Sequence, residues 1–323
     1  MFRLILLTSF TLAAEQHRVI AETYHHTFSA AHPVLLRVRS GDSIVTKTVD
    51  SAGFDYANTR RTKTHGNPLT GPFYIEGAER GDTLLVRIDR LALNRSTGYT
   101  GRAVGVKELP ENLQAPMPDP DAAIRGYNYL VPWTIDLKKQ FVRPKDGAGG
   151  LDFPARPMLG CIGVAPRGDY SPRSGPAGYW GGNIDYNWIR QGTTVLLPVF
   201  HAGALLFFGD GHALQGDGEA IGSGVETSLD VTITVTLRKK TNLASVRAET
   251  ADYVISIGSK PDATLNQTLD LALADMLRWL IEETGMEPAK AHLLIGTAAS
   301  LDIATLGGST AVRVPRRHVS KSN

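Results

Sequence analysis

Cysteine is nearly absent: Cys161 stands alone in 323 residues. An intrachain disulfide and a zinc site built on cysteine pairs are therefore both excluded. No charge of one sign dominates either, since 34 Lys and Arg stand against 32 Asp and Glu, leaving a formal net charge of +2. The charges are interspersed, and Arg316–Arg317 is too short a basic run to serve nucleic acid or an anionic membrane. No apolar run reaches the length needed to cross a bilayer as a helix. The nearest approach is Leu4–Leu12, preceded by Arg3 and followed by Ala13 and Ala14. That is the pattern of a short secretory signal over residues 1–14, and its cleavage would place the protein in a periplasm or outside the cell. Without cleavage the protein would be cytoplasmic, and the segment would be a first strand or follow a misassigned start.

Glycine and proline are plentiful, at 33 and 18 residues, which suits a loop-rich, strand-rich enzyme better than a helical bundle. Residues 15–240 read as a mainly β body, sandwich- or barrel-like. Val34–Val38 leads through Ser40-Gly41-Asp42-Ser43 to Ile44 and Val45. Phe73–Ile75 leads through Gly81-Asp82 to Leu84–Val86 in the same way. Each reads as two apolar runs joined by a Gly-Asp turn, where Gly supplies positive φ and Asp bonds its own backbone. Residues 106–157, punctuated by seven prolines from Pro110 to Pro154, read as an insertion or a loop region beside an active site, with a strand expected at Tyr129–Ile135. Leu229–Leu237 alternates apolar and Asp/Thr positions and is expected to be a half-buried strand.

After Lys240 the pattern changes. Leu269, Leu273, Met276 and Leu280 share a helical face between Thr268 and Glu283, with Gly285 as C-cap. A second helix is expected from Pro288 to about Ala299, and strands at Tyr253–Ile257 and Ala311–Val314. Residues 241–323 are thus read as a small C-terminal α+β layer packed on the same domain.

The chemistry concentrates between Asn183 and Glu219. Asn183, Asp185, His201, Asp210, His212, Gln215, Asp217 and Glu219 interrupt the apolar runs Val195–Phe200 and Ala204–Phe208. Polar groups among buried strands are costly unless paired or metal-bound. Positions i and i+2 of an extended segment face one side, so Asp210 can meet His212, and Asp217 can meet Glu219. A mixed imidazole and carboxylate set suits Zn²⁺ or a similar ion, whereas the all-oxygen set Asp185, Asp217 and Asn183 would suit Ca²⁺. The plainer alternative is turn chemistry, since Asp217-Gly218 is also an ordinary hairpin turn. Trp180 and Tyr186, with Tyr170, Tyr179 and Trp188, form either a pocket wall or ordinary core. His65 either lines a pocket or merely sits in a turn, at most one of His25 and His26 could join the site, and His201 is placed behind it. Cys161 lies in the apolar run Met158–Gly163 and reads as a small buried residue rather than a nucleophile. Ser223 reads as a turn residue, and no Gly-x-Ser-x-Gly elbow is present.

Pro198-Val199 through Gly203-Ala204-Leu205, then Gly209-Asp210, His212 and Gln215-Gly216-Asp217-Gly218-Glu219, resembles the acetamidase/formamidase family. Gly163-Val164-Ala165-Pro166, Gly182-Asn183-Ile184-Asp185, Leu69-Thr70-Gly71-Pro72 and Asp275-Met276 with Trp279-Leu280 extend the resemblance from about residue 32 onward. It implies hydrolysis of a short linear amide to a carboxylate and ammonia, a mainly β fold, a bound divalent metal and a homo-oligomer. On that footing Asp210 and His212 are expected to hold the metal, with Asp185 or Asp217 as a third ligand or as the group orienting His212. Glu219 is expected to be the general base and then acid, with Asn183 or Gln215 donating to the oxyanion. A metal-dependent hydrolase of a larger secreted substrate, or a binding module stabilised by Ca²⁺, are the competing classes.

Overall fold

Strands dominate the computed structural model, which describes residues 13–64, 66–105, 109–115, 130–145 and 150–319. His65 and nearly all of the N-terminal signal-like segment lie outside the described residues, as do Tyr129 and parts of the proline-rich region. Two large sheets share one hydrophobic core. The nine-stranded sheet runs in the order Gln16–Arg18, Ser43–Lys47, Leu229–Arg238, Thr83–Leu93, Thr194–Pro198, Val246–Glu249, Tyr253–Ser259, Ser309–Pro315, Ser300–Thr305. The six-stranded sheet is Ala177–Gly178, Gly181–Asn183, Met158–Val164, Leu206–His212, Leu69–Glu76, Leu36–Arg39. Ile44, Val86, Val195 and Ile233 from the first meet Phe73, Leu159, Ile162 and Phe208 from the second, all fully buried. Each such side chain contributes about 1.5–3 kcal/mol. The sheets are open, so the body is a sandwich and not a closed barrel.

The two Gly-Asp turns do not close hairpins. Leu36–Arg39 lies in the six-stranded sheet and Ser43–Lys47 in the nine-stranded one; Leu69–Glu76 and Thr83–Leu93 are divided in the same way. Each turn therefore carries the chain from one sheet to the other. Both use one construction. Asp42 Oδ2 accepts from Arg39 N at 2.9 Å, and Asp82 Oδ2 accepts from Glu79 N at 2.8 Å. The preceding glycines, Gly41 and Gly81, have φ of 103° and 93°, which a side chain would oppose.

Leu229–Arg238 alternates buried and half-buried positions along most of its length, as its sequence requires. The proline-rich region contributes a small four-stranded sheet, Thr97–Thr100, Val131–Asp136, Phe141–Pro144 and Phe153–Pro154. At the C-terminal end, helix Leu265–Arg278 starts at Thr264, which forms a reciprocal capping box with Gln267. It passes into a wide turn at Trp279–Glu283, and Gly285 then takes a φ of 74°. The helix lies tightly on the nine-stranded sheet: a Cβ on Gly258 would fall 1.9 Å from the Thr268 carbonyl oxygen. Helix Pro288–Ala298 completes this layer, and Met276, Leu280 and Ala291 are buried beneath it with Val312 and Val314.

Candidate active site

The site forms where strand Leu206–His212 ends. The whole strand is buried, including Gly209, Asp210 and Gly211. The glycines do not turn the chain here. A Cβ on Gly209 would fall 2.6 Å from Pro68 O, and one on Gly211 would fall 2.8 Å from Leu229 Cγ. They permit close packing on both flanks, so that Asp210 and His212 emerge together at the strand end. Asp210 Oδ1 stands 3.6 Å from His212 Nε2.

Two further segments bring acid to the same point. Strand Gly181–Asn183 pairs with Met158–Val164 and sets Asn183 opposite Cys161. The backbone N–H groups of Ile184 and Asp185 then both donate to Gly160 O, which turns Asp185 into the cluster. Glu226 arrives between His212 and Tyr99, bridged to both through its backbone. Its Oε1 lies 3.1 Å from His212 Nε2. Glycine again permits the approach, since a Cβ on Gly224 would fall 2.6 Å from the His212 ring.

His212 is held in one orientation. Its Nδ1 is 2.8 Å from Gln215 Oε1, and Gln215 Nε2 donates to Asp185 O at 2.6 Å. Because the amide oxygen can only accept, Nδ1 carries the proton in the neutral ring and Nε2 is left to face Asp210 and Glu226. Gln215 therefore stands behind the imidazole and not at the cavity, which corrects its assignment as an oxyanion donor. Asn67 ties the rim together, donating to Asn183 Oδ1 at 2.8 Å and to Asp210 Oδ2 at 3.1 Å. Asn183 Nδ2 in turn donates to Asp185 Oδ2.

Asp185, Asp210, His212 and Glu226 are all almost wholly inaccessible, and Glu219 is half-buried. Burial and the neighbouring acids Glu219 and Asp210 push the Asp185 carboxyl well above its ordinary range. Burial, reinforced by Asp210, pushes Glu226 up to about 7 although His212 pulls the other way. Glu219 is raised by burial and by Asp210, again against the pull of His212. His212 itself is raised: burial lowers it, but the Glu226 and Asp210 carboxylates outweigh burial.

Three oxygens in this cluster, Asp185 Oδ1, Asp210 Oδ1 and Glu226 Oε2, are buried without a hydrogen-bond partner. A buried carboxylate oxygen left unpaired is costly. Two overlapping sets have ligand atoms within 4.8 Å of one another, Asp210 with His212 and Glu226, and Asp185 with His212 and Glu219. Carboxylate oxygens with one imidazole nitrogen fit a first-row divalent cation. The cluster opens on a cavity of about 340 Å³ lined by Asn67, Tyr99, Asn183, Asp210, Glu219 and Glu226, among others.

Several expected residues stand elsewhere. Asp217 is exposed and accepts from Asn187 Nδ2 at 2.7 Å, so it does not meet Glu219 and joins neither ligand set. The turn around Gly218 is instead pinned to edge strand Ser300–Thr305 by Gly218 N–H to Ile303 O, and Thr305 Oγ1 donates to Glu219 Oε2 at 3.0 Å. His201 bonds Pro166 O at 2.5 Å, beside Phe200 and away from the cavity. Trp180 is core, packed edge-on against Tyr170 and Tyr179. Tyr186 is also buried and donates to Asp302 Oδ2 at 2.5 Å. Neither lines the cavity, whose aromatic wall is Tyr99. Of the early histidines, His25 stacks on His32 at 3.9 Å, while His26 Nδ1 approaches Gly66 O beside Asn67. Cys161 is fully buried, and burial raises its thiol well above the ordinary range. Its Sγ lies 2.7 Å from Asn183 Oδ1, so it packs behind the rim.

Sequence reasoning missed Glu226, Asn67 and Tyr99. The available signal for Glu226 was a lone carboxylate entering the apolar approach to Leu229–Leu237. Asn67, just before strand Leu69–Glu76, and Tyr99, on strand Thr97–Thr100 of the small sheet, carry no local signal, because only tertiary packing brings them to the site.

A buried acid–imidazole cluster opening on a cavity is a candidate hydrolytic site. Residues 168–305 match the model of the Acetamidase/Formamidase family. A search of curated protein sequences gives no significant match. Among solved structures, a predicted acetamidase/formamidase from Thermoanaerobacter tengcongensis is 28% identical, with a TM-score of 0.78 over 95% of this chain and 97% of its own. Bacillus halodurans acetamidase is also 28% identical, with a TM-score of 0.78 over 94% and 98%. Yersinia enterocolitica acetamidase is 25% identical, with a TM-score of 0.79 over 96% and 94%. These similarities support amide hydrolysis as the class of chemistry.

Proposed function

We propose that this protein hydrolyses the C–N bond of a small amide, with Asp210, His212 and Glu226 holding a divalent metal, zinc in preference to calcium, and Glu219 as the base. The observation that carries the reading is the trio of unpaired buried carboxylate oxygens around one oriented imidazole nitrogen. Bound there, the cation would polarise the amide carbonyl and acidify water. The chain's own groups do the rest. Gln215 fixes His212, and Asn67 fixes Asn183 and Asp210. Glu219, anchored through Thr305 beside Asp185, would take the proton of the attacking water. Its raised pKa suits a group that accepts a proton from water and returns it to nitrogen. The hydroxyl adds to the carbonyl carbon, the C–N bond breaks, and the proton held by Glu219 leaves with ammonia. The Asn183 side chain lines the cavity, and its remaining amide hydrogen would donate to the developing oxyanion.

Ammonia release from formamide, acetamide and longer amides, measured with metal content, tests this. Glu219→Gln should lower kcat by roughly a thousandfold, the scale of a lost acid–base group, and keep the metal. His212→Ala should lose both. Near-normal turnover in Glu219→Gln would remove Glu219 as the base.

A further inference from the structure

A second cavity adjoins the reactive one. It has a volume of about 620 Å³ and shares Ala52, Tyr99 and Leu130 with its neighbour. Formamide or acetamide would leave both spaces largely empty, since cavities of about 300–1,000 Å³ bury much larger ligands. Its walls are apolar at Ala52, Phe54, Leu130 and Pro132.

The two cavities differ in charge. The reactive one is lined by Asp210, Glu219 and Glu226. The second is lined by Asp50, Arg95 and Arg102. Asp50 and Arg95 are buried and spent on each other at 2.6 Å. Arg95 also donates to the carbonyls of Phe54, Asp55 and Thr97, and Asp50 accepts from the Ala52 and Phe54 amides. Four of the five Arg95 N–H groups are thus used within the protein, and Asp50 neutralises its charge. Arg102 is different: it is exposed at the cavity mouth, and among the described residues no carboxylate pairs with it.

We propose that the preferred substrate is the half-amide of a dicarboxylic acid, with its amide at the acidic cluster, its carbon chain passing Tyr99, and its carboxylate on Arg102. This rests on the amide-hydrolase reading and deepens it. The opposed charges set the direction of binding. Asp210 and Glu226 would be taken up by the cation, but Glu219 still disfavours a carboxylate beside it, whereas a carboxylate left behind meets Arg102. The guanidinium fork can grip both carboxylate oxygens.

Rates of ammonia release should be compared for the monoamides of succinic, glutaric and adipic acid and for neutral amides of matching length. At least one half-amide should exceed its neutral counterpart roughly tenfold in kcat/KM, chiefly through KM, as expected for one charge-assisted contact. In Arg102→Gln that ratio should fall to about one, with Arg102→Lys between. The ratio within each variant cancels any general damage. A half-amide no better than its neutral counterpart, or a preference untouched by Arg102→Gln, overturns the proposal. If acetamide and every other amide are inert, the hydrolase reading fails, and calorimetric titration with the same half-amides decides this one. Binding roughly tenfold weaker in Arg102→Gln upholds the anion site; equal binding, or none to either protein, overturns it.

Discussion

At the scale of single residues, the site depends on side chains that are missing as much as on those present. A Cβ on Gly160 would fall 2.4 Å from Asp185 Oδ1 and 2.5 Å from Asp210 Oδ2. Gly160→Ala should therefore spread the two carboxylates. Turnover is expected to fall by roughly a hundredfold, the cost of an ångström-scale misplacement. Circular dichroism alongside the assay checks that the fold survives. Gln215→Leu removes the acceptor that orients His212. Metal affinity should weaken by about 10–100-fold, as for other outer-shell partners of ligating histidines, and competition with a chelator reads it directly. The i and i+2 spacing of Asp210 and His212 pointed to their convergence, although Asp210 at a φ of 57° departs from regular strand geometry between them. The corresponding pairing of Asp217 with Glu219 was not legible, because a turn and not a strand holds them. Gly218 at a φ of 78° and Glu219 at 49° break the alternation on which that inference relied.

Elements show the same division between local and long-range information. Leu229–Arg238 and helix Leu265–Arg278 were readable because burial on one face imposes a period on the sequence, and helix Pro288–Ala298 because of the proline at its start. The sheet crossings at Gly41-Asp42 and Gly81-Asp82 looked like hairpins because turn residues report a local reversal and not which sheet the next strand joins. The C-terminal layer is fastened by a buried ion pair that periodicity does not show. Arg247 Nε and Nη2 donate to Asp275 at 2.7 and 3.0 Å, and Ser256 Oγ donates to the same carboxylate at 2.8 Å. Arg247 and Asp275 are both about 2% exposed or less. Asp275→Asn would leave the buried guanidinium only the half-exposed Glu283 as counter-charge and should cost about 3 kcal/mol in urea unfolding, the lower end for breaking a buried pair. Replacing the pair by matched apolar residues should cost far less.

For the whole molecule, strong acid should loosen the sheet crossings. The Asp42 carboxyl is buried, which raises it, yet the backbone amides of Arg39 and Glu15, with His17, bring it down to about 2. A carboxyl lower in the folded than in the unfolded chain contributes stability that is fully present above its ordinary pKa of about 4 and disappears as pH falls through about 2. Asp82 is lowered in the same sense, chiefly by Lys239 and the Lys240 and Glu79 amides acting against burial. Melting curves of Asp42→Asn and the parent should converge as pH falls across that window and lie apart near neutrality. The catalytic end carries a different burden. Asp185, Asp210 and Glu219 have φ of 47°, 57° and 49°, a backbone shape that costs an ordinary residue on the order of 1 kcal/mol or more and glycine very little. Glycine at any of these three positions would relax the main chain and dilute the crowded negative charge together. With no ion bound, the protein would then melt higher while losing the proposed chemistry, and selection for thermal endurance alone would erase the candidate site.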